Sequence, residues 1–281
     1  LCFKLKSCCE AICLIGINTT IVFKPVIAHN VLVTEESIPP DILMIKDWIF
    51  NYVNSMPKKA QSLVIGISGG IDSSVTSTLC AMTGIKTIVA SMPIKQIASQ
   101  HDLSLKHKKW LKDKFKNVEF HKIELDEVFK SFQLKLSDFD SEHGLANSRA
   151  RIRMTTLYQI ASANNGIVVG TGNKVEDFGV GFYTKYGDGG VDISPIADCT
   201  KSQIWDMGRS LGISEEIIKA QPTDGLWDDG RTDVSQIGMS YQELEQAMKD
   251  PNSKDHKKYL EIRKRNLHKM KPIPVCKMKD E

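Results

Sequence analysis

The sequence contains no apolar run long enough to cross a bilayer and no strong excess of charge of either sign. Its apolar stretch from Ala11 to Phe23 is interrupted by Asn18 and two threonines, which leaves it too short and too polar for a spanning helix. A net charge of +3 over 281 residues is too small to indicate nucleic-acid binding. We therefore expect a globular protein whose partners include neither a membrane nor a nucleic acid.

Paired cysteines are also missing. The chain has seven cysteines but no C-x-x-C pair, and Cys2, Cys8, Cys9 and Cys13 lie close together near its start. An odd number without paired spacing predicts neither a disulfide framework nor a zinc site. This pattern is typical of a reducing, cytoplasmic compartment.

The first thirty residues differ in character from the rest. Lys4 and Lys6 precede the apolar stretch and the small residue Ala28 follows it, which is similar to a secretory signal. The sequence does not begin with methionine, so an over-extended reading frame explains the segment equally well. We expect residues 1–30 to be an extension outside the fold and residues 31–281 to form a single domain, a normal size for one α/β unit.

Short apolar runs alternate with amphipathic stretches along this domain. The apolar runs predict strands over residues 62–67, 86–90, 118–123 and 166–169. Helices are predicted over residues 41–56, 72–82, 101–116, 126–132, 142–164, 201–211, 241–248 and 254–268, with a glycine-rich loop over 170–191. The alternation favours an α/β fold with a doubly wound parallel sheet flanked by helices.

The segment Gly66-Ile67-Ser68-Gly69-Gly70-Ile71-Asp72-Ser73-Ser74 joins the first of these strands to a helix. Its glycines let backbone N–H groups approach an anion, and the helix N-terminus adds partial positive charge. The serine hydroxyls can donate further hydrogen bonds, so the segment can hold a pyrophosphate or triphosphate. Asp72 would repel phosphate unless a divalent cation lay between them, and Mg²⁺ prefers such oxygen ligands.

This segment is not the common nucleotide-binding loop, because no lysine follows its glycines. It resembles the loop of the PP-loop ATP pyrophosphatases, which have an adenine nucleotide alpha hydrolase-like fold and cut ATP between its α and β phosphates. A plain turn between strand and helix is the alternative. The position directly after a buried strand favours the phosphate-binding interpretation.

A second polar segment, Gly170 to Glu176, follows the last predicted strand. Because neighbouring parallel strands end at the same edge of a sheet, we expect Glu176 to lie near Asp72. Two carboxylates across a nucleotide could hold one or two Mg²⁺ ions. Taken alone, Glu176 could equally be a surface residue in a polar loop.

The block Gly-Phe-Tyr-Thr-Lys-Tyr-Gly-Asp-Gly-Gly-Val-Asp over residues 181–192 is too aromatic and charged for a plain connector. With the segments at 147–154, 199–201, 221–226 and 268–269, it resembles the NAD synthetase family, which has similar blocks in the same order. The resemblance covers about Asp41 to Met278. It implies an ammonia-dependent ligase that amidates deamido-NAD to NAD through an adenylated intermediate, releasing AMP and pyrophosphate.

The resemblance also implies roles for individual residues. Those matching ATP-binding positions are Gly66, Ile67, Ser68, Gly69, Gly70, Ile71, Asp72, Ser73, Thr171, Lys201 and Thr223. Those matching deamido-NAD-binding positions are Arg151, Lys185, Asp192, His268 and Lys269. Asp72 and Glu176 would hold Mg²⁺. Lys201, beside the α-phosphate, and Asp188, in the loop that admits ammonia, would be catalytic.

Two departures from the family pattern lie next to Glu176. The family's Gly-Thr-Asp-His-Ala-x-Glu is Gly-Thr-Gly-Asn-Lys-Val-Glu here, at residues 170–176, and one extra residue lies between Glu176 and the aromatic block. Because Glu176 keeps its spacing from Thr171, we retain it as a metal ligand. Asn173 is assigned to loop structure only.

Other readings of the same motifs remain open. Too few residues precede Ser62 for the glutaminase domain that some family members carry, which favours the ammonia-using form. Another PP-loop enzyme, either GMP synthetase-like or tRNA-modifying, is an alternative, as is a non-catalytic nucleotide-binding module. The family resemblance also implies a homodimer.

Overall fold

The computed structural model describes residues 26–28, 31–33, 38–95, 98–227 and 229–278. Most of the predicted extension at residues 1–30 lies outside these ranges. The exception is Val26–Ala28 (β1), which pairs antiparallel with Val31–Val33 (β2). The boundary between extension and domain therefore stays a prediction.

A four-stranded parallel sheet forms the centre of the described fold. Its strands are Ser62–Gly66 (β3), Lys86–Ser91 (β4), Val118–Lys122 (β5) and Gly166–Val168 (β6), in the order β5-β4-β3-β6. The chain runs outward from β3 to β5 and then returns to β6 on the other side of β3. This reversal creates a switch point between the carboxyl ends of β3 and β6, where such sheets bind ligands.

Helices pack around the sheet and extend beyond it. The α-helices are Pro40–Ser55 (α1), Ile71–Met82 (α2), Ala98–Lys114 (α3), Asp126–Lys135 (α4), Glu142–Ala163 (α5), Lys201–Leu211 (α6), Glu215–Lys219 (α7), Asp233–Ile237 (α8), Tyr241–Lys249 (α9) and His256–Met270 (α10). Ser137–Phe139 is a 3₁₀-helix and Lys174–Val180 is a π-helix. Among the described helices, none combines the length and apolar character needed to span a bilayer.

Both faces of the sheet are buried at β3, β4 and β6, as their near-continuous apolar sequences predict, whereas most of the edge strand β5 is exposed. Leu63 of β3 lies in the main core with Ile49 of α1 and Leu79 of α2. The neighbouring residue Val64 points to the opposite face and lies in a cluster with Ala161 of α5. Helices on both faces confirm the predicted doubly wound α/β class.

A second, smaller apolar cluster lies away from the sheet. It contains Val175 and Val180 of the π-helix, Tyr241 and Leu244 of α9, and Tyr259 of α10. Through this cluster, α9 and α10 pack directly against the turn that follows β6. The cluster therefore connects the last helices of the chain to the switch point.

The main differences from the predicted elements lie between residues 170 and 240. The π-helix occupies part of the predicted glycine-rich loop, because Asn173 accepts hydrogen bonds at its N-terminus from the N–H groups of Val175 and Glu176, each at 3.0 Å. α7 and α8 have five residues each, too short to give a periodic pattern. α4 also extends further than predicted, to Lys135.

Candidate active site

The loop after β3 is closed by its own serines. Ser68 Oγ accepts a hydrogen bond from the Gly70 N–H at 3.2 Å, and Ser73 Oγ donates one to the Gly70 carbonyl at 3.0 Å. Gly69 has a φ of 91°, a left-handed conformation that glycine adopts without strain. Within the described part of the chain, no side chain caps the N-terminus of α2, so its first N–H groups are available to an anion.

The switch point brings Asp72 and Glu176 together, as predicted from the strand order. Asp72 lies in the first turn of α2, and Glu176 lies in the π-helix that follows β6. Lys201, at the start of α6, lies between them: its Nζ is 2.6 Å from Asp72 Oδ2 and 2.8 Å from Glu176 Oε1. Three predicted site residues therefore form one ion-paired group.

The ion-paired group is enclosed by protein. Lys201 is 1% exposed. Burial alone would lower its pKa, but the attraction of Asp72 and Glu176 outweighs burial and raises it. Burial raises the pKa of Asp72. Burial would also raise the pKa of Glu176, but the charge of Lys201 and the hydrogen bonds that Glu176 accepts outweigh burial and lower it. Lys201 therefore keeps its charge, and this positive charge lies between the two carboxylates, next to the first turn of α2.

Asn173 connects the two halves of this group. Its side chain is fully buried, and its Nδ2 donates to Asp72 Oδ1 at 3.0 Å. The Oδ1 atom caps the π-helix that carries Glu176. The interpretation of Asn173 as plain loop structure was incomplete, because this one amide connects the first loop to the second.

The two departures from the family pattern have visible structural counterparts. Gly172 leaves a space that the Asp177 carboxylate fills, so that a side chain at position 172 would collide with it. The interval predicted to hold an extra residue, between Glu176 and the aromatic block, begins within the π-helix, and a π-turn takes more residues than an α-turn. The far end of this helix is held from α10, where Arg263 donates to the Phe178 and Gly179 carbonyls and Asn266 donates to the Val180 carbonyl.

Tyr241 and Asp233 were not found from the sequence. The Tyr241 hydroxyl is 2.6 Å from Glu176 Oε1 and 3.1 Å from Asp233 Oδ2. Both residues are buried. Neither belongs to a motif, so only long-range contacts reveal that they adjoin the site.

Three of the five residues predicted to bind the dinucleotide are linked by hydrogen bonds, and a fourth, Lys269, is the chain neighbour of one of them. Arg151 of α5 donates to the Lys185 carbonyl, and Lys185 Nζ donates to the His268 carbonyl at the end of α10, each at 3.4 Å. Lys269 Nζ donates to the carbonyl of Tyr183 at 2.8 Å. The basic residues therefore meet where the aromatic block contacts α10.

Asp192, the fifth of these residues, is engaged elsewhere. Its Oδ1 accepts from the Tyr158 hydroxyl at 3.0 Å and its Oδ2 accepts from the Val168 N–H at 2.7 Å. These bonds hold the segment around Asp192 against the outer edge of β6, where the Asp192 N–H also donates to the Val168 carbonyl. A contact between Asp192 and a dinucleotide stays a prediction.

Asp188 lies in the turn of the aromatic block and is open to solvent. Its Oδ1 accepts from the Thr184 N–H at 2.9 Å. The carboxyl group itself is desolvated by the surrounding protein, although part of the residue is exposed, and this desolvation raises the pKa of Asp188 to about 6. The carboxyl can therefore exchange a proton near neutral pH.

The remaining two predicted ATP contacts lie in loops. Thr171 follows β6 directly and is half-buried. Thr223 lies after α7, and its Oγ1 accepts a hydrogen bond from the Gly225 N–H at 3.2 Å. Both roles stay predictions.

The parallel sheet with a Ser-Gly-Gly-Ile-Asp-Ser loop at its switch point defines the class as an α/β nucleotide-binding protein of the PP-loop type. The family model described as NAD synthase matches residues 42–280. The chain therefore belongs to the NAD synthase family, a family of ligases.

Individual relatives agree with this assignment. The chain is 35% identical over 205 residues to the NH(3)-dependent NAD(+) synthetase of Methanosarcina acetivorans, covering 72% of this chain and 79% of the relative. It is 36% identical over 233 residues to that of Mesoplasma florum, covering 78% and 93%.

Two solved structures are similar over almost their whole length. The NMN synthetase from Francisella tularensis has a TM-score of 0.78 at 29% identity, covering 85% of this chain and 98% of that chain. The NH3-dependent NAD synthetase from Campylobacter jejuni has a TM-score of 0.68 at 26% identity, covering 84% and 98%.

Proposed function

We propose that this protein is an ammonia-dependent NAD synthetase, which uses ATP to convert the nicotinate carboxylate of deamido-NAD to the amide. Family membership and the names of its relatives support the reaction class. The observation that carries the proposal is the meeting of Asp72, Glu176 and Lys201 beside the uncapped N-terminus of α2.

The reaction needs a better leaving group than carboxylate oxygen. The nicotinate carboxylate attacks the α-phosphorus of ATP, which forms an acyl-adenylate and releases pyrophosphate; ammonia then displaces AMP. In this proposal, the N–H groups of α2 and the hydroxyls of Ser68 and Ser73 bind the pyrophosphate. Lys201 offsets the negative charge that develops at the α-phosphate.

Mg²⁺ fits the donors present at this site. Mg²⁺ binds in proteins through one or two carboxylates and completes its shell with phosphate oxygens and water, and Asp72 and Glu176 provide such a pair. In the described residues, no group of three or more His, Cys, Asp or Glu side chains could hold a metal by itself. Asp72 and Glu176 would thus hold a cation shared with the nucleotide, where it would screen phosphate charge.

The basic group of Arg151, Lys185 and Lys269 supports binding of an anionic pyridine nucleotide. The aromatic block beside it would hold the nicotinate ring. Asp188, with a pKa raised to about 6, is proposed to accept a proton from the incoming ammonium ion. These residues position the reactants and balance charge rather than forming a covalent intermediate.

A second candidate substrate is the corresponding mononucleotide. The similarity to an NMN synthetase, at a TM-score of 0.78, favours including it. The chemistry at the carboxylate is the same for both substrates. The preference for deamido-NAD over the mononucleotide therefore depends on whether the site also binds the adenylate part of the dinucleotide.

The exposed apolar side chains of α4 and the 3₁₀-helix after it support a homodimer. Leu134 is 68% exposed and Phe139 is 78% exposed, and exposed apolar side chains that lie near one another can form a surface for association. The free thiols of Cys80, Cys199 and Cys276 in the described residues support a reducing compartment, and we propose the cytoplasm.

The deciding experiment measures pyrophosphate release from ATP by the purified protein. Deamido-NAD and nicotinate mononucleotide are each supplied with ammonium or with glutamine. We expect release to require a nicotinate nucleotide and the amide to form with ammonium but not with glutamine. Release that is independent of both nucleotides would refute the proposed function, and the ratio of the two kcat/KM values identifies the substrate.

A further inference from the structure

We infer that Tyr241 is a positioning residue, which holds Glu176 and Lys201 in their paired arrangement. Tyr241 contacts both of them: its hydroxyl is 2.6 Å from Glu176 Oε1, and the centre of its ring is 4.9 Å from Lys201 Nζ. The inference rests on the proposed function, because it gives Tyr241 its effect through two residues of the proposed ATP site.

The hydrogen bonds around Tyr241 have a defined direction. A phenol carries one proton and can donate to only one acceptor, and the shorter distance identifies that acceptor as Glu176. The contact at 3.1 Å with Asp233 Oδ2 then needs a proton on Asp233, which donates to the phenol oxygen. Asp233 Oδ1 is buried and has no partner among the described residues, which costs less for a neutral acid than for a carboxylate. Burial, together with the charge of Glu176, raises the pKa of Asp233 to about 7.

The ring of Tyr241 has a second role in this arrangement. Trp205 of α6 packs edge-on against it at 5.8 Å between ring centres, so the ring is fixed from the helix that also carries Lys201. An ammonium ion over an aromatic face is attracted by the ring quadrupole. The hydroxyl and the ring therefore act on opposite members of the same ion pair, and α9 connects the smaller apolar cluster to the site.

Tyr241→Phe tests the hydroxyl while keeping the ring and its contact with Trp205. Tyr259→Phe is the matched control, because Tyr259 is a buried tyrosine of the same apolar cluster. We expect Tyr241→Phe to lower kcat/KM for ATP by about 10- to 100-fold, the range typical of groups that orient a ligating side chain. The KM for the nicotinate nucleotide should stay within twofold, and Tyr259→Phe should change neither value.

ATP affinity, measured by calorimetry, gives a readout that does not depend on turnover. We expect Tyr241→Phe to weaken ATP binding at least fivefold in the wild-type background and less than twofold in a Glu176→Gln background, because Tyr241 acts through Glu176. Equal weakening in both backgrounds, or none in the wild-type background, would overturn the inference. So would failure of Tyr241→Phe to fold while Tyr259→Phe folds, since the hydroxyl would then serve the stability of the cluster.

The same measurements separate this inference from the proposed function. If the wild-type protein binds ATP but amidates neither nicotinate nucleotide, the proposed function fails. The calorimetric comparison then still decides the role of Tyr241.

Discussion

The Ser68–Ser74 loop and the π-helix at Lys174–Val180 lie side by side and each supplies one carboxylate, but they are held in different ways. The loop is closed by hydrogen bonds among Ser68, Gly70 and Ser73, all within six residues. The π-helix is capped by its neighbour Asn173 at one end and held by Arg263 and Asn266 of α10 at the other. The loop in the first half of the site is thus closed by local sequence, and the second half depends on α10, whose bonds to the π-helix span 84 and 86 residues.

The two halves of the site should therefore respond differently to substitution. A substitution in the loop should alter phosphate chemistry directly, because the hydrogen bonds that close the loop lie within the loop itself. A substitution near the π-helix should act through the placement of Glu176. Four predictions, from the largest expected effect to the smallest, test this distinction.

Asp72→Asn should reduce pyrophosphate release by about 10³-fold, because it removes a carboxylate proposed to hold the Mg²⁺ that screens the phosphates, and losing one electrostatic group of a preorganised site costs about 10²- to 10³-fold. Lys201 keeps Glu176 as a partner, so we expect the protein to stay folded. Initial rates and thermal unfolding measure the two effects. Asp198→Asn, at a 96% exposed carboxylate paired with Lys174, is the control, and a rate for Asp72→Asn within tenfold of wild type would contradict the prediction.

Asn173→Asp should lower kcat/KM for ATP by about 10- to 100-fold while the protein keeps its fold. An aspartate still caps the π-helix, but its second oxygen would face Asp72 Oδ1, where the amide now donates at 3.0 Å. Asn173→Ala loses both contacts and should also lower the unfolding midpoint. If Asn173→Asp retained full activity, the hydrogen bond between Asn173 and Asp72 would not contribute to catalysis.

His107 tests whether the first half is as local as its loop suggests. This histidine of α3 is buried, with its Nε2 2.8 Å from Ser77 Oγ in α2. Burial lowers its pKa from 6.5 to about 3, so below pH 6.5 the unfolded chain binds a proton that the folded protein does not. Stability should therefore fall as the pH drops from about 6.5 towards 3, and at pH 5 this one group should cost about 2 kcal/mol.

Urea unfolding at pH 7 and pH 5 measures this effect. His107→Phe should reduce the difference in unfolding free energy between the two pH values by about 2 kcal/mol. His121→Phe, at an exposed position of β5, serves as the comparison variant. Equal pH dependence in His107→Phe and wild type would show that α3 does not support α2 in this way.

Lys269→Met should raise the KM for the nicotinate nucleotide about fivefold and leave kcat nearly unchanged, because an exposed or half-buried charge contributes about 1 kcal/mol to binding. Lys269 reaches the Tyr183 carbonyl from α10. Lys264→Met removes an exposed charge from the same helix and should have no effect. A matching rise in the KM for ATP would place Lys269 with the first half of the site instead.

The sequence predicted the sheet, its strands and the longer helices, because each has a clear apolar period and lies between turn residues. The same reasoning predicted that Asp72 and Glu176 would be close, since both follow neighbouring parallel strands. It did not predict the π-helix, for which glycines and polar residues gave no period. It also did not find Tyr241 or Asp233. Tyr241 contacts Glu176 across 65 residues of sequence, and Asp233 is connected to Glu176 only through the hydroxyl of Tyr241.

The sequence by itself determined the α/β class, the Ser-Gly-Gly-Ile-Asp-Ser loop and the family, because these depend on short segments whose residue types restrict the local backbone. The tertiary structure alone decided that Lys201 lies between the two carboxylates, that Asn173 joins the two loops, and that Tyr241 contacts both Glu176 and Lys201. Such contacts depend on how α6, α9 and α10 pack, and packing is set by the sum of many apolar contacts rather than by any one motif. The loop proposed to bind phosphate is built locally, whereas the arrangement of charge around it depends on distant parts of the chain.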